Sequence, residues 1–201
     1  MMTGTADIEH WISRFLLQPQ LQPQLQSQSL ATSTNAPPNA AVLLPVFRQH
    51  GDWTLVMTRR ALHLRHHPGQ ISFPGGRIEV GESTAQAALR ETYEEIGIPP
   101  SAVQLLGCLP AINTSTGFIV QPWLGLLNTQ PVFSVHPDEV DSVLLLPLRE
   151  ALCAQRRKTE IWQLRGRQQQ LHFIPWQQQL IWGASAEILY QLAGQVSGPA
   201  R

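Results

Sequence analysis

The sequence predicts a mixed α/β sandwich, in which a sheet of parallel and antiparallel strands is covered by helices. Hydrophobic residues make up 43% of the 201 residues, which is enough for one sizeable core. Segments with strand and helix patterns follow one another irregularly along the chain. Too few helices lie between the strands for a purely parallel sheet, because each parallel connection needs a crossover. A mixed sheet is therefore expected.

The N-terminal part is predicted to be a helical segment, residues 1–17, followed by a connector. In residues 6–17 apolar side chains recur at the spacing of one helical face. Residues 18–39 are rich in Gln, Pro, Ser and Asn and carry no hydrophobic period, so a flexible linker is expected there. The main domain is predicted to span residues 40–196, with a short tail at 197–201. The helix is expected to dock against the domain rather than to take part in chemistry.

The elements of the main domain are predicted from alternation, turn signals and apolar spacing. Strands are expected at 40–48, 53–60, 103–112, 118–127 and 140–148, with weaker patterns near 160–164 and 171–175. Helices are expected at 84–96, near 149–155 and from 182 to about 196. A loop rich in Gly, Pro and His, with a short strand-like piece at 71–73, is expected at 62–77.

Composition argues against several classes of partner. The chain has 14 Lys+Arg and 14 Asp+Glu, so no net charge draws it to nucleic acid or to an anionic membrane. Its apolar runs all fall short of the roughly 18 residues of a membrane-spanning helix. Cys108 and Cys153 lie far apart and without metal-ligand spacing, which fits a reducing compartment. We expect a cytoplasmic protein acting on a small molecule, with an oligomeric state that the sequence does not specify.

The predicted helix at 84–96 carries the chemical signal. Ser83 and Gln86 have the spacing of a capping box, and Gly97 is a suitable stop. At about 100° per residue, Glu91, Glu94 and Glu95 fall within roughly 100° of arc, well away from the apolar face. The residues on its core-facing side are Ala85, Leu89, Thr92 and Ile96.

The three glutamates on this face repel one another unless a cation joins them. Only Arg90, four residues before Glu94, offers an opposite charge at helical spacing. A solvated helix face is the ordinary explanation of such a run, but it usually has Lys or Arg interspersed. A divalent cation such as Mg²⁺ or Mn²⁺, which prefers oxygen ligands and shares them with substrate phosphates, is the alternative explanation.

A longer pattern around this helix resembles the Nudix box. The residues that carry it read G-x5-E-x7-R-E-x-x-E-E-x-G-I and are Gly76, Glu82, Arg90, Glu91, Glu94, Glu95, Gly97 and Ile98. The resemblance implies the α/β/α Nudix sandwich, with Glu91, Glu94 and Glu95 as metal ligands and Arg90 paired with Glu82. Thr92 stands where the family usually has an aliphatic residue, and we expect a packing adjustment there.

The segment before the helix resembles the signature of the Nudix subfamily that hydrolyses coenzyme A. Residues 58–76 read T-x-R-A-x3-R-x3-G-x3-F-P-G-G. The resemblance implies Mg²⁺- or Mn²⁺-dependent cleavage of the coenzyme A pyrophosphate to adenosine 3',5'-bisphosphate and 4'-phosphopantetheine. Arg60 and Arg65 are candidate phosphate ligands because guanidinium groups bind phosphate at two points. Gly75 and Gly76 would let the backbone approach the substrate closely.

The acid–base assignment stays open at the level of sequence. Glu94 is the first candidate for the general base, with Arg90 supporting it, and Glu139 and Asp141 are outside candidates. Two rival functions remain: a Nudix pyrophosphatase acting on ADP-ribose, NADH or another nucleotide derivative, and a Nudix-fold binding module without catalysis. A zinc site built from the neighbouring histidines is a further, weaker alternative; these are His63, His66 and His67.

Overall fold

The computed structural model describes residues 10–17, 36–164 and 167–197. Its strands are β1 (Ala40–Gln49), β2 (Asp52–Arg60), β3 (Ile71–Ser72), β4 (Gly75–Arg77), β5 (Val103–Cys108), β6 (Ile112–Asn113), β7 (Ile119–Leu127), β8 (Val140–Pro147), β9 (Lys158–Leu164), β10 (Arg167–Trp176) and β11 (Gln179–Trp182). Its helices are α1 (Trp11–Leu17), α2 (Thr84–Ile96), α3 (Leu148–Ala151) and α4 (Ala184–Ser197). Single 3-10 turns cover Pro100–Ala102 and Ala154–Arg156.

The central sheet is mixed, as predicted. Strands run in the order β3-β2-β1-β7-β5, with β8 on β2, β4 on β1 and β6 on β7. The pairing of β1 with β7 is parallel, with Leu43 opposite Trp123, whereas β1 and β2 are antiparallel. A separate antiparallel sheet has the order β11-β10-β9. The predicted α/β sandwich is confirmed, because helices cover both faces of the central sheet.

The two faces of the central sheet are covered differently. On one face α2 packs closely, because Ala87 and Ala88 lie against Ala41 and Leu43 of β1. The opposite face carries the larger core cluster, to which α1, α4 and the three-stranded sheet all contribute. Small residues on α2 therefore bring its backbone near the sheet and fix the position of its acidic edge.

Helix α1 is part of the larger core. Trp11 is 1% exposed, and its ring meets that of Trp53 edge-on at 5.6 Å between centroids. Gln195 of α4 donates from Nε2 to the carbonyl of Phe15 at 3.2 Å. The predicted docking helix is thus present at Trp11–Leu17, while the predicted residues 6–9 lie outside the described residues.

The predicted linker and tail fall mostly outside the described residues. Of the linker at 18–39, the structure describes residues 36–39, which lead into β1. Of the tail at 197–201, it describes Ser197 at the end of α4. The predicted domain bounds therefore stay predictions.

Several elements differ in detail from the sequence-based expectations. The segment 103–112 is interrupted, with β5 ending at Cys108, because Pro110 has no N–H to donate to the ladder. The expected helix at 149–155 is divided into α3 and a 3-10 turn. Helix α4 begins at Ala184 rather than at 182, since Trp182 belongs to β11 and Gly183 turns the chain with φ 64°.

Among the described residues, no helix combines the length and the apolar character needed to cross a membrane.

Candidate active site

Helix α2 is capped at both ends as its sequence predicts. The Ser83 hydroxyl accepts from the Gln86 N–H at 3.2 Å, and the Gln86 side chain accepts from the Ser83 N–H at 2.9 Å. At the other end Gly97 adopts φ 76°, the left-handed region that favours glycine. The helix is therefore held in a fixed register, which fixes the side chains along its length.

Thr92, the departure from the box pattern, is fully buried in this helix. Its hydroxyl donates to the carbonyl of Ala88 at 2.6 Å, one turn earlier. The polar atom is satisfied locally, so Thr92 fills a core position with no effect on the acidic edge.

Three carboxylates meet beside α2. Glu91, Glu95 and Glu139 each offer an oxygen, and these oxygens lie within 4.8 Å of one another. Glu95 is buried at 5% exposure, Glu91 is half-buried and Glu139 is exposed. We call these three residues the glutamate cluster.

Glu139 reaches the cluster from the loop before β8. Its carbonyl accepts from the Ala61 N–H at 2.9 Å, which ties this loop to the end of β2. The same loop is tied to α2 by the His136 N–H, which donates to the carbonyl of Glu95 at 2.9 Å. The backbone thus brings together side chains 44 residues apart in the chain.

Glu94, predicted together with Glu91 and Glu95, lies outside the glutamate cluster. Its side chain is 52% exposed and accepts from Arg90 Nη1 at 3.0 Å. The helical angles explain the difference. Glu95 lies about 40° from Glu91, towards the core-facing side of α2, whereas Glu94 lies about 60° from Glu91 in the opposite direction. The structure therefore joins two predicted ligands with Glu139.

Arg90 connects the cluster to its supporting loop. It donates to both oxygens of Glu82, from Nε and Nη2 at 3.0 Å each, so the predicted pair is present and two-pronged. Its Nη1 donates to Glu91 at 3.0 Å as well as to Glu94. The Arg90 hydrogen bond lowers the pKa of Glu82, and Glu82 in turn raises the pKa of Arg90. Arg90 thereby fixes the position of the Glu91 carboxylate.

Both predicted glycines contact the glutamate cluster. The N–H of Gly75 donates to Glu95 Oε2 at 3.3 Å. A Cβ on Gly76 would lie 2.4 Å from the carboxylate of Glu91, closer than any real contact. Glycine at 76 therefore leaves the room that the Glu91 carboxylate occupies.

The electrostatics of the cluster suit a divalent cation. Burial raises the pKa of Glu95 to about 8, with nearby Glu91 and Glu139 adding to the rise. Burial also raises the pKa of Glu91, against the opposing effect of Arg90. Three carboxylates in one place, only partly compensated by Arg60 and Arg90, offer oxygen as the donor atom throughout and fit Mg²⁺ or Mn²⁺.

The predicted cationic residues differ in their relation to the cluster. Arg60 is half-buried at the end of β2, and its charge lowers the pKa of Glu95. Arg65 lies in the exposed loop between β2 and β3, and the described residues include no carboxylate paired with it. The neighbouring histidines are also exposed, and none joins a metal-binding group within the described ranges; these are His63, His66 and His67.

The raised pKa of Glu95 makes the metal-free protein sensitive to pH. Between about pH 4.5 and pH 8 the folded protein holds a proton on Glu95 that the unfolded chain has lost, so stability falls as pH rises through this window. The Glu95→Gln variant has no carboxyl group to lose this proton, so it lacks this loss of stability. In EDTA, we expect the Tm of the variant minus the Tm of the unmodified protein to increase by several degrees when the pH is raised from 5 to 9. A Tm difference independent of pH in thermal melts would contradict the assignment.

Comparison with known proteins identifies the family of this chain. The NUDIX domain profile matches residues 37–177, so the chain belongs to the Nudix family. Proteins described as "Uncharacterized Nudix hydrolase NudL" from Salmonella paratyphi B and Salmonella enteritidis are each 37% identical over 198 residues, covering 98% of both chains. The crystal structure of a C. elegans Ap4A hydrolase complex matches with TM-score 0.50 and 24% identity, over 56% of this chain and 83% of that one. This last likeness concerns the fold alone.

Sequence reasoning placed Glu139 among candidates for the general base but not among the metal ligands. The available signal was a group of acidic residues at the start of a predicted strand, at residues 138–141. The same group also fits an ordinary polar turn. The contact depends on how the loop docks against α2, which local sequence does not specify.

Proposed function

We propose that this protein hydrolyses the pyrophosphate bond of coenzyme A in a reaction that depends on Mg²⁺ or Mn²⁺. The products would be adenosine 3',5'-bisphosphate and 4'-phosphopantetheine. The supporting observation is that two residues of the coenzyme A-type signature act on Glu95 of the glutamate cluster. The Gly75 N–H donates to Glu95 Oε2 at 3.3 Å, and the charge of Arg60 lowers the pKa of Glu95. The signature segment and the glutamate cluster thus adjoin each other.

Glu91, Glu95 and Glu139 are the proposed holders of the metal ion. Glu94 shares the Arg90 Nη1 donor with Glu91, so it borders the cluster on its solvent side. We keep Glu94 as a further proposed ligand from that side. A bound Mg²⁺ or Mn²⁺ supplies polarisation of the phosphoryl oxygens and acidification of a water molecule.

Glu139 is also the proposed general base, in preference to Glu94: one of its carboxylate oxygens would hold the metal ion and the other would take the proton. The carboxylate of Glu94 is held by Arg90, whereas the carboxylate of Glu139 accepts no hydrogen bond from the described residues. Asp141, the other outside candidate, accepts from the Ser142 hydroxyl at 3.0 Å and lies outside the cluster. A carboxylate free of donors is better placed to take a proton from water attacking phosphorus.

The remaining predicted residues have binding and positioning roles in this proposal. Arg60 and Arg65 donate to phosphate oxygens, with Arg65 carried by the loop between β2 and β3. Arg90 holds Glu91 in place through the 3.0 Å hydrogen bond. Gly75 and Gly76 keep the backbone of β4 close to the glutamates and to the diphosphate.

Incubation of the purified protein with coenzyme A and Mg²⁺ or Mn²⁺ tests the proposal. Mass spectrometry is expected to show the two products named above, in equal amounts, and EDTA is expected to stop their formation. ADP-ribose and NADH serve as competing substrates in parallel reactions. Faster hydrolysis of NADH than of coenzyme A would refute the substrate assignment, and hydrolysis of none of them would favour a non-catalytic binding module.

A further inference from the structure

The segment between β7 and β8, residues 128–139, carries Glu139 and is fastened to the C-terminal end of α2. We call this segment the β7–β8 loop. We propose that Gly97 is a positioning residue for the site: because it has no side chain, the β7–β8 loop can approach α2 closely enough to place Glu139 in the glutamate cluster. This inference rests on the proposed function, in which Glu139 holds the metal ion and takes a proton, and extends it to a residue that sets the position of Glu139.

Two backbone hydrogen bonds join the β7–β8 loop to the last turn of α2. The Ser134 N–H donates to the carbonyl of Ile96 at 3.0 Å, and the His136 N–H donates to the carbonyl of Glu95 at 2.9 Å. The last carbonyls of a helix have no N–H partner within the helix, so the loop supplies partners that α2 lacks. One of the two acceptors, Glu95, is itself a member of the glutamate cluster.

A tight turn connects these hydrogen bonds to Glu139. The carbonyl of His136 accepts from the N–H groups of Glu139 at 3.1 Å and of Val140 at 2.9 Å. Pro137 directly follows His136 and restricts the backbone of this turn, because its ring fixes φ. At the end of the turn, the Glu139 carbonyl accepts from the Ala61 N–H at 2.9 Å. A shift of His136 away from α2 therefore also shifts Glu139.

Gly97 packs directly on the β7–β8 loop. A Cβ at this position would lie 2.7 Å from Ser134 Cβ, 3.0 Å from the Ser134 nitrogen and 3.2 Å from the Ser134 carbonyl oxygen. Two of these three atoms belong to the backbone, so rotation of a side chain does not relieve the contact. Phe133 also packs against the core cluster that contains Ile96 and Ile98, the residues on either side of Gly97. A side chain at position 97 therefore has to push Ser134 away from Ile96, together with the turn that leads to Glu139.

The left-handed backbone of Gly97 is a separate reason for glycine at this position, and two substitutions distinguish the two reasons. Gly97 has φ 76°, and Gly51, in the turn between β1 and β2, has φ 88°. A Cβ on Gly51 would meet nothing within 4 Å, so Gly51→Ala introduces backbone strain without a contact. Gly97→Asn reduces the strain and keeps the contact, because Asn adopts the left-handed conformation more readily than Ala but carries the same Cβ.

Titration of the metal-free variants with Mn²⁺ tests the inference. We expect Gly97→Ala and Gly97→Asn each to weaken Mn²⁺ binding about tenfold, and Gly51→Ala to leave it unchanged although its Tm falls. In the Glu139→Gln background, Gly97→Asn is expected to cause no further loss, because its effect acts through Glu139. Unchanged Mn²⁺ affinity in Gly97→Asn, or an equal loss with and without the Glu139 carboxylate, would overturn the inference.

Amide hydrogen exchange in EDTA separates this inference from the proposed function, because it needs neither metal nor substrate. The Ser134 and His136 amides are expected to exchange about tenfold faster in Gly97→Asn than in the unmodified protein, and within about twofold of the unmodified protein in Gly51→Ala. If the unmodified protein neither binds Mn²⁺ nor cleaves coenzyme A, the proposed function fails, while faster exchange still supports Gly97 as the residue that lets the loop dock on α2. Unchanged exchange at both amides in Gly97→Asn would contradict the positioning role of Gly97.

Discussion

Replacement of Glu91 by Gln is expected to lower Mg²⁺- or Mn²⁺-dependent hydrolysis by about a hundredfold or more, while the protein stays folded. The substitution keeps the shape of the side chain and an oxygen that can accept from Arg90 Nη1. In the unmodified protein, Arg90 Nη1 lies 3.0 Å from Glu91 Oε1. The substitution removes one of three carboxyl groups whose oxygens lie within 4.8 Å of one another. The metal loses a charged ligand, whereas the metal-free fold loses a source of repulsion.

Glu160→Gln is the matched control for this experiment. Glu160 is exposed on β9 and accepts from the Trp162 indole N–H at 2.8 Å, a bond that the amide oxygen of Gln preserves. Its turnover and Tm are expected to match those of the unmodified protein. Unchanged turnover in Glu91→Gln, with circular dichroism showing a native fold, would refute the assignment of Glu91 to the metal.

Replacement of Gly76 by Ala is expected to reduce turnover by about a hundredfold through displacement of Glu91. The added methyl group would lie 2.4 Å from the Glu91 carboxyl carbon and 2.6 Å from Oε2, so the carboxylate has to move. It also leaves its hydrogen bond with Arg90 Nη1. Displacement of a metal ligand by about 1 Å is enough for a loss of this size.

Gly194→Ala provides the comparison for Gly76→Ala. Gly194 lies in α4, and a Cβ there meets nothing within 4 Å. Alanine favours the helix by about 1 kcal/mol, so a small rise in Tm and normal turnover are expected. If Gly76→Ala retained full turnover at saturating Mg²⁺, the close packing of Gly76 on Glu91 would have no functional consequence.

Much of α2 could be predicted because its signals are local. The capping box at Ser83, the stop at Gly97 and the separation of acidic from apolar faces all depend on residues within a few positions of one another. The helical period gave the angles among Glu91, Glu94 and Glu95 but not their environments. The way α2 lies across β1 decides which edge of the acidic face turns towards the sheet. The burial of Glu95 therefore could not be predicted from the sequence.

Contacts between distant segments were harder to predict. Glu139 joins the cluster because its loop is tied to Ala61 and to the last turn of α2, and neither tie has a local signature. Strand β4 was missed since its Gly75–Gly76 pair has no side chains that alternate. Strand β11 follows glutamine-rich sequence with weak alternation. The roles of the individual site residues, like the coenzyme A substrate, stay proposals.

Titration of the metal-free protein with Mn²⁺ tests the central claim most directly. The unmodified protein is expected to bind Mn²⁺ with proton release, because cation binding displaces the proton favoured by the raised pKa of Glu95, about 8. Glu91→Gln and Glu139→Gln are each expected to weaken this binding about tenfold or more, and Glu160→Gln to leave it unchanged. Mn²⁺ affinity that is the same in all four proteins would show that Glu91 and Glu139 do not hold the ion, which contradicts the account.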